Sequence, residues 1–353
     1  MTKQIPVFDG HNDVLLRLYR STSQDPVADF LNGEEAGHID LKKAKAGSLA
    51  GGLFALFSPS TRSRGSAEQQ MAGGQYALPL PAPLPLEDAR TSAVGELAML
   101  VKVERASQGA VAICRNVAEI KAAMTRGALA AVLHIEGADA IDDKLHFLDV
   151  LYAAGLRSLG PVWSRPNIFG HGVPFRFPSS PDIGDGLTAA GENLIRVCNE
   201  MNILIDLSHI TEKGFWDVAR LSKAPLVATH SNVHALCPSP RNLTDKQLAA
   251  IRDTGGMVGL NFATCFLRPD GNMRKDTDIG LMVQHLDYLL EKLGEDHVGL
   301  GSDFDGAMVP ERIGSAAGLP ALFDALRAKG YSEPLLNKLG SGNWLGLLER
   351  TIG

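Results

Sequence analysis

The chain has 353 residues, 45% hydrophobic and 21% charged, which is enough apolar material for one large α/β domain or two smaller ones. A net charge of -6 at pH 7, with no basic stripe, excludes a nucleic-acid partner. No apolar run reaches membrane-spanning length, and residues 1–6 lack the apolar core of a secretion signal, so a cytoplasmic protein is expected.

A short apolar run over residues 5–8 reads as the first strand. Asp9-Gly10-His11-Asn12-Asp13 follows it. In an extended segment residues i and i+2 project to the same side, so His11 and Asp13 are offered together, as a metal-ligand pair is from the end of a strand. Residues 14–20 begin a helix, and the apolar run 53–57 is a second strand, ended by Ser58-Pro59. An insertion near 58–88 comes next. Its first part is polar and glycine-rich, and Pro79, Pro81, Pro83 and Pro85 on alternate residues favour extended polyproline geometry. A surface loop is the plain reading of it, with a lid or a subunit contact as alternatives.

Helical patterns cover 87–108 and 117–126. A third strand, 128–135, ends in His134-Ile135-Glu136-Gly137. After a helix at 142–154 come strand four (156–161), a loop rich in Pro and Gly (163–181) and a helix at 187–202. Strand five (203–207) is closed by Ser208-His209, and strand six (225–228), after a helix at 211–222, by Thr229-His230-Ser231-Asn232. The helix at 244–254 starts on a capping box, Thr244 with Gln247. Strand seven (256–260) is closed by Asn261. Beyond a helix at 279–293, strand eight (297–301) is closed by Ser302-Asp303-Phe304-Asp305-Gly306, and helices from 319 onward finish the chain.

Eight short apolar strands alternating with helices predict a parallel sheet with crossover helices, and eight is the number that closes a (β/α)8 TIM-type barrel. A doubly wound open sheet is the alternative. It would want a glycine-rich phosphate turn after strand one, which Gly10-His11-Asn12-Asp13 is not. Residues 1–353 read as a single domain. The cysteines, Cys114, Cys198, Cys237 and Cys265, lie far apart and form no Cys-x-x-Cys pair, so they read as reduced core residues.

In such a barrel chemistry sits at the carboxyl ends of the strands. The polar residues closing the runs there are His11, Asp13, Glu136, His209, His230 and Asp303. Three imidazoles and three carboxylates are too many for one tetrahedral zinc. They suit two divalent ions about 3.5 Å apart that share a bridging carboxylate and a bridging water. His134 shares a face with Glu136 and reads as a support for the ligands, and Asp305 as a residue that shapes its loop. His38, His146, His234, His285 and His297 have no motif context.

Gly10-His11-Asn12-Asp13, His134-Ile135-Glu136-Gly137, Asp206-Leu207-Ser208-His209, His230-Ser231-Asn232, Ser239-Pro240-Arg241-Asn242 and Gly301-Ser302-Asp303-Phe304-Asp305-Gly306 closely resemble, in order, the motifs of the renal (membrane) dipeptidase family. That is metallopeptidase family M19 of the amidohydrolase superfamily. The resemblance implies a distorted barrel, two zinc ions, and hydrolysis of dipeptides, including those with a C-terminal D-residue, by attack of a metal-bridging hydroxide. It makes His11 and Asp13 ligands of one metal, His209 and His230 ligands of the other, and Glu136 the bridge. Asp303 falls on the residue that ligates the first metal and handles the proton, and Arg241 on the one that binds the substrate's free carboxylate. A guanidinium suits that task because it grips a carboxylate with two parallel hydrogen bonds.

Two positions depart from the pattern. Trp163 stands where many family members carry a histidine that stabilises the oxyanion; its indole N–H is one donor. His171, from the same loop, is a candidate replacement, with an ordinary loop histidine as the alternative. Phe266 stands where renal-type enzymes have a tyrosine. Trp163, Asn167 and Phe266 join Arg241 as the expected substrate-binding residues. The expected partner is a small dipeptide, without nucleic acid or membrane, and a homodimer is left open. An esterase, lactonase or phosphotriesterase-like hydrolase, or a non-catalytic metal- or peptide-binding barrel, are the rival functions.

Overall fold

A computed structural model describes residues 4–60, 69–71 and 73–353; residues 61–68 and 72, inside the expected 58–88 insertion, lie outside the described residues. The strands in chain order are β1 (Val7–Asn12), β2 (Leu49–Phe57), β3 (Tyr76–Ala77), β4 (Val111–Ile113), β5 (Leu129–Glu136), β6 (Leu156–Gly160), β7 (Arg176–Phe177), β8 (Leu204–Ile205), β9 (Val227–Ala228), β10 (Met257–Leu260) and β11 (Val298–Leu300). Eight of them form a parallel sheet in the order β8-β6-β5-β2-β1-β11-β10-β9. The remaining gap closes where Asp206 bridges Val227 in parallel and the Leu207 N–H donates to the Val227 carbonyl at 2.9 Å. The protein is thus a (β/α)8 barrel, and all eight expected strands belong to it.

The ladder also explains why the barrel is distorted. β2 pairs with one edge of β5 over Ala130 to Glu136. The other edge is shared: β4 takes Leu129 to Ala131, and β6 takes Leu133 to Glu136. The three-residue β4 was not expected, since it is too short for its alternation to stand out between two helical patterns. β5 is buried along its whole length, as its run of Leu, Ala, Val and Ile requires of a parallel strand covered on both faces. β1 runs to Asn12, so His11 sits within the strand and not after it.

The floor of the barrel is plugged from the C-terminal helix, Asn343–Thr351. The indole of Trp344 is fully buried, stands 6.4 Å from the Phe8 ring, and donates from Nε1 to the Leu300 carbonyl at 2.9 Å. Close packing there needs small residues. A Cβ on Gly10, Gly259 or Gly301 would come within 2.4, 2.0 and 1.9 Å of the Thr229 carbonyl oxygen, respectively.

The described part of the proline-rich insertion lies across the opposite end. β3 pairs antiparallel with β7, and the Leu78 N–H donates to the Phe175 carbonyl at 2.8 Å. Met71 and Tyr76 pack with Phe177, Cys237, Ala263, Cys265 and Phe266. This described part of the insertion therefore packs on the mouth loops. All four cysteines are buried and unpaired. Among the described residues no helix is long and apolar enough to cross a membrane.

Candidate metal centre and substrate site

The carboxyl ends of β1, β5, β8, β9 and β11 bring the six expected ligands to one place. Glu136, the last residue of β5, stands at their centre. Its Oε1 lies 2.9 Å from His209 Nε2, 3.4 Å from His230 Nε2 and 3.6 Å from His11 Nε2. His11 Nε2 is 3.5 Å from Asp13 Oδ2, and the His11 and His230 rings stack with centroids 3.9 Å apart. Ligand atoms of His11, Glu136 and His230 fall within 4.8 Å of one another, as do those of His11, Asp13 and Asp303.

The turn after β11 aims Asp303. Asp303 and Asp305 both hold positive φ, 58° and 65°, a region in which aspartate is one of the better-tolerated side chains. Asp305 is spent on the loop: it accepts from the His38 and Ile39 N–H groups at 2.7 and 3.3 Å and pairs with Arg17 at 3.1 Å. Gly306 leaves room for the carboxylates, since a Cβ there would meet Asp13 Oδ2 at 1.9 Å and Asp303 Oδ1 at 2.2 Å. Asn261 donates from Nδ2 to Asp303 Oδ2 at 3.0 Å and to the His230 carbonyl at 3.3 Å.

The donor set fits divalent metal. Both ring nitrogens of His11 and Oδ1 of Asp13 are buried with no hydrogen-bond partner among the described residues, which a folded protein tolerates at a ligand site and seldom elsewhere. The cluster favours positive charge. Burial works against a charged His11, yet Glu136, Asp13 and Asp303 outweigh it and push its pKa up to about 10. Burial and the neighbouring Asp13 raise Asp303 to about 6. Burial, then Arg241 and the neighbouring histidines, hold His209 and His230 well below the usual range, so they stay neutral with a lone pair to give.

Their second nitrogens are occupied. His230 Nδ1 meets Thr229 Oγ1 at 2.8 Å, and that hydroxyl donates to Asp206 Oδ2 at 2.7 Å, so the proton sits on Nδ1 and Nε2 faces Glu136 as an acceptor. Ser164 Oγ meets His209 Nδ1 at 2.8 Å. His134 rests its Nδ1 on Ser158 Oγ at 2.9 Å and its ring edge against His11. Thr229, Ser164 and Asp206 were missed from the sequence as supports. The Thr229-His230 adjacency was the available signal, because a hydroxyl beside a ligand histidine can fix its tautomer.

Arg241 is 2% exposed. It donates from Nη2 to the His230 carbonyl at 3.1 Å and from Nη1 to Ser231 Oγ at 3.4 Å, while its Nε has no partner. Among the described residues no carboxylate lies within ion-pair distance of it, although Asp303 and Glu136 are near enough to favour its charge against the cost of burial. Its guanidinium stands 5.3 Å above the Phe266 ring. From there an aromatic belt runs round the mouth: Phe266 to Phe175 at 6.3 Å, Phe175 to Trp163 at 5.6 Å, Trp163 to Phe57 at 5.0 Å. Trp163 also lies 5.8 Å from the His209 ring. Phe57 and Phe175 were not singled out from the sequence; only the fold places them beside Trp163.

Two expected residues make their hydrogen bonds outside the ligand cluster. His171 turns its Nδ1 to the Gly186 carbonyl at 3.3 Å, and no hydrogen bond, ion pair or ring contact joins it to the six ligands. Its backbone is held against the segment after β8 through the Gly172–Ile210 bridge. Asn167 folds its amide into its own loop, accepting from Phe169 and Gly170 and donating to the Pro161 carbonyl at 2.9 Å. A buried arginine the sequence reading passed over, Arg165, ties three mouth loops together through Asp139 (3.0 Å), Ser60 (2.9 Å) and the Ser58 carbonyl (2.8 Å).

Comparison with known proteins identifies the family. The profile of the membrane dipeptidase family (peptidase family M19) matches residues 1–351. A metallopeptidase from Rhodobacter sphaeroides, solved with a phosphinate mimic of the dipeptide L-Ala-D-Ala, is 53% identical, superposes with a TM-score of 0.97, and aligns over 99% of this chain and 100% of that one. The dipeptidase AC, a metallopeptidase of family M19, matches equally, at 53% identity, TM-score 0.97 and the same coverage. An uncharacterised protein from the pqqA 5' region of Klebsiella pneumoniae is 52% identical over 72% of this chain and 94% of its own length. With six metal-competent side chains at one barrel mouth and a family match over nearly its whole length, the chain belongs to the membrane dipeptidase family, peptidase family M19, and is a metal-dependent dipeptidase.

Proposed function

We propose that the site hydrolyses dipeptides bearing a free C-terminal carboxylate, with two divalent ions held by His11, Asp13, Glu136, His209, His230 and Asp303, and that L-Xaa-D-Xaa dipeptides are among its substrates. The mixed imidazole and carboxylate donors suit zinc. Glu136, with Oε1 within 3.6 Å of three imidazole nitrogens, is the carboxylate that would be shared by the two ions. The observation that carries the substrate class is Arg241, a buried cation that has, among the described residues, an unpartnered Nε and no carboxylate within ion-pair distance, at the rim of the ligand cluster. The L-Ala-D-Ala mimic in the Rhodobacter sphaeroides relative supports the D-residue reading.

When bound, the metal pair supplies an acidified water and a polarised scissile carbonyl. The protein's own groups do the rest. Arg241 takes the substrate's carboxylate with paired N–H bonds and so fixes the scissile bond over the ligands. The belt of Phe57, Trp163, Phe175 and Phe266 excludes bulk water around it. Asp303 accepts the proton of the attacking water as its oxygen bonds to the carbonyl carbon, and returns that proton to the amine nitrogen as the C–N bond breaks. The test is the zinc-loaded enzyme against free and amidated L-Xaa-L-Xaa and L-Xaa-D-Xaa dipeptides. Turnover confined largely to free carboxylates is expected. Equal turnover of the amides would remove Arg241 as a clamp and point to a broader amide or ester hydrolase.

A further inference from the structure

His285 has no part in the chemistry above, yet it is buried in the helix Ile279–Leu293 with both ring nitrogens engaged. Its Nδ1 accepts from the Val233 N–H at 3.2 Å, and its Nε2 donates to the Leu267 carbonyl at 3.0 Å. Those partners fix a neutral ring with its proton on Nε2. The two backbone groups belong to the two loops that build the carboxylate clamp. Val233 pairs in parallel with Leu243, closing the base of the loop that carries Arg241, and its carbonyl accepts from Leu236 and Cys237. Leu267 ends the short helix Thr264–Leu267, which carries Phe266. At the top the same loops meet again, where Asn242 Nδ2 donates to the Phe266 carbonyl at 2.9 Å.

We propose that His285 is a positioning residue for substrate specificity: by joining Val233 to Leu267 it sets the guanidinium of Arg241 over the ring of Phe266, and with it the site's preference for a free C-terminal carboxylate. This rests on the reading of Arg241 as the clamp. Among the described residues the Arg241 guanidinium makes two hydrogen bonds, one of them long at 3.4 Å, so its direction is inherited from the loop beneath it. A bond lost at that base leaves the metal ligands in place and loosens the grip on the carboxylate.

The test compares wild type with His285→Leu, His285→Asn and His285→Gln, each zinc-loaded, on a free dipeptide and its amide, with the unfolding midpoint measured alongside. The Asn side chain puts its carbonyl oxygen near the place of Nδ1 and keeps the Val233 bond; the Gln amide nitrogen falls near Nε2 and keeps the Leu267 bond. His285→Leu should raise KM for the free dipeptide about tenfold or more, the scale of one or two buried hydrogen bonds, with kcat within roughly threefold. The ratio of kcat/KM for free over amidated substrate should fall in step. His285→Asn, which keeps the loop of Arg241 anchored, should retain more of that ratio than His285→Gln. If His285→Leu does not fold, the Asn and Gln variants decide the matter alone. A lowered unfolding midpoint with the free-to-amide ratio unchanged in the variants would overturn the proposal and leave His285 a core residue. A wild type without that preference would instead overturn the clamp itself.

Discussion

The two ends of the barrel are built from the same strands and treat polar atoms in opposite ways. At the floor, Trp344 is enclosed by Phe8 and by glycines, and its one polar atom has a partner in the Leu300 carbonyl. At the mouth, both ring nitrogens of His11, Oδ1 of Asp13 and Nε of Arg241 have no hydrogen-bond partner among the described residues. An unpaired buried polar atom costs about 1–3 kcal/mol, so a chain that keeps several together is holding them for something that arrives from outside. The floor shows that this sequence can satisfy its interior; the mouth shows where it does not.

The sharpest way to break this contrast is at Glu136, where three imidazoles meet. Glu136→Ala should abolish metal binding as a pair and lower kcat/KM by roughly three orders of magnitude or more, since several kcal/mol of charge stabilisation go with it. Metal analysis and kinetics on the same sample check this, and full occupancy in the variant would deny Glu136 its bridging place. The matching change at the floor is Trp344→Ala. It should cost about 3–5 kcal/mol of folding stability, measured by denaturant unfolding, with little change in turnover per folded molecule. A loss of turnover equal to that at the mouth would mean that the ends are not separable.

Smaller effects refine the picture of the mouth. Arg241→Met should lose roughly 2–4 kcal/mol in kcat/KM on free dipeptides, and Arg241→Lys, which keeps the charge without the fork, should lie between it and wild type. An unimpaired Arg241→Lys would reduce the clamp to a point charge. Ser164→Ala and Thr229→Val remove the hydroxyls behind His209 and His230, and each should weaken metal affinity by about 10- to 100-fold. Competition with a chelator of known strength measures that. An unchanged affinity would show that the rings are held by packing alone.

How much of this could be read from residue order follows from the same contrast. The convergence of His11, Asp13, Glu136, His209, His230 and Asp303 was legible because each lies in or just beyond the carboxyl end of an apolar run, and such ends converge in a parallel barrel whatever the loops do. Asn261 closed a strand in the same way, and its contact with Asp303 was within reach of that reasoning. β4 was not legible, being three residues that share an edge of β5 with β6. Side-chain direction within loops was not legible either. His171 and Asn167 stand in the segment expected at the site, yet Nδ1 of one meets the Gly186 carbonyl and the amide of the other is spent on Phe169 and Gly170. Periodicity carries no signal for such turns, so Phe175, which completes the belt beside Trp163, stayed unremarked until the fold placed it.

The claim that the mouth is a two-ion hydrolytic centre is tested most directly by titrating chelator-stripped protein with zinc while following dipeptide hydrolysis. Turnover is expected to be lost on stripping and to return in proportion to added metal until two equivalents per chain are bound. Undiminished turnover in protein shown to be free of metal, or full recovery at one equivalent with the second site unfilled, would contradict it.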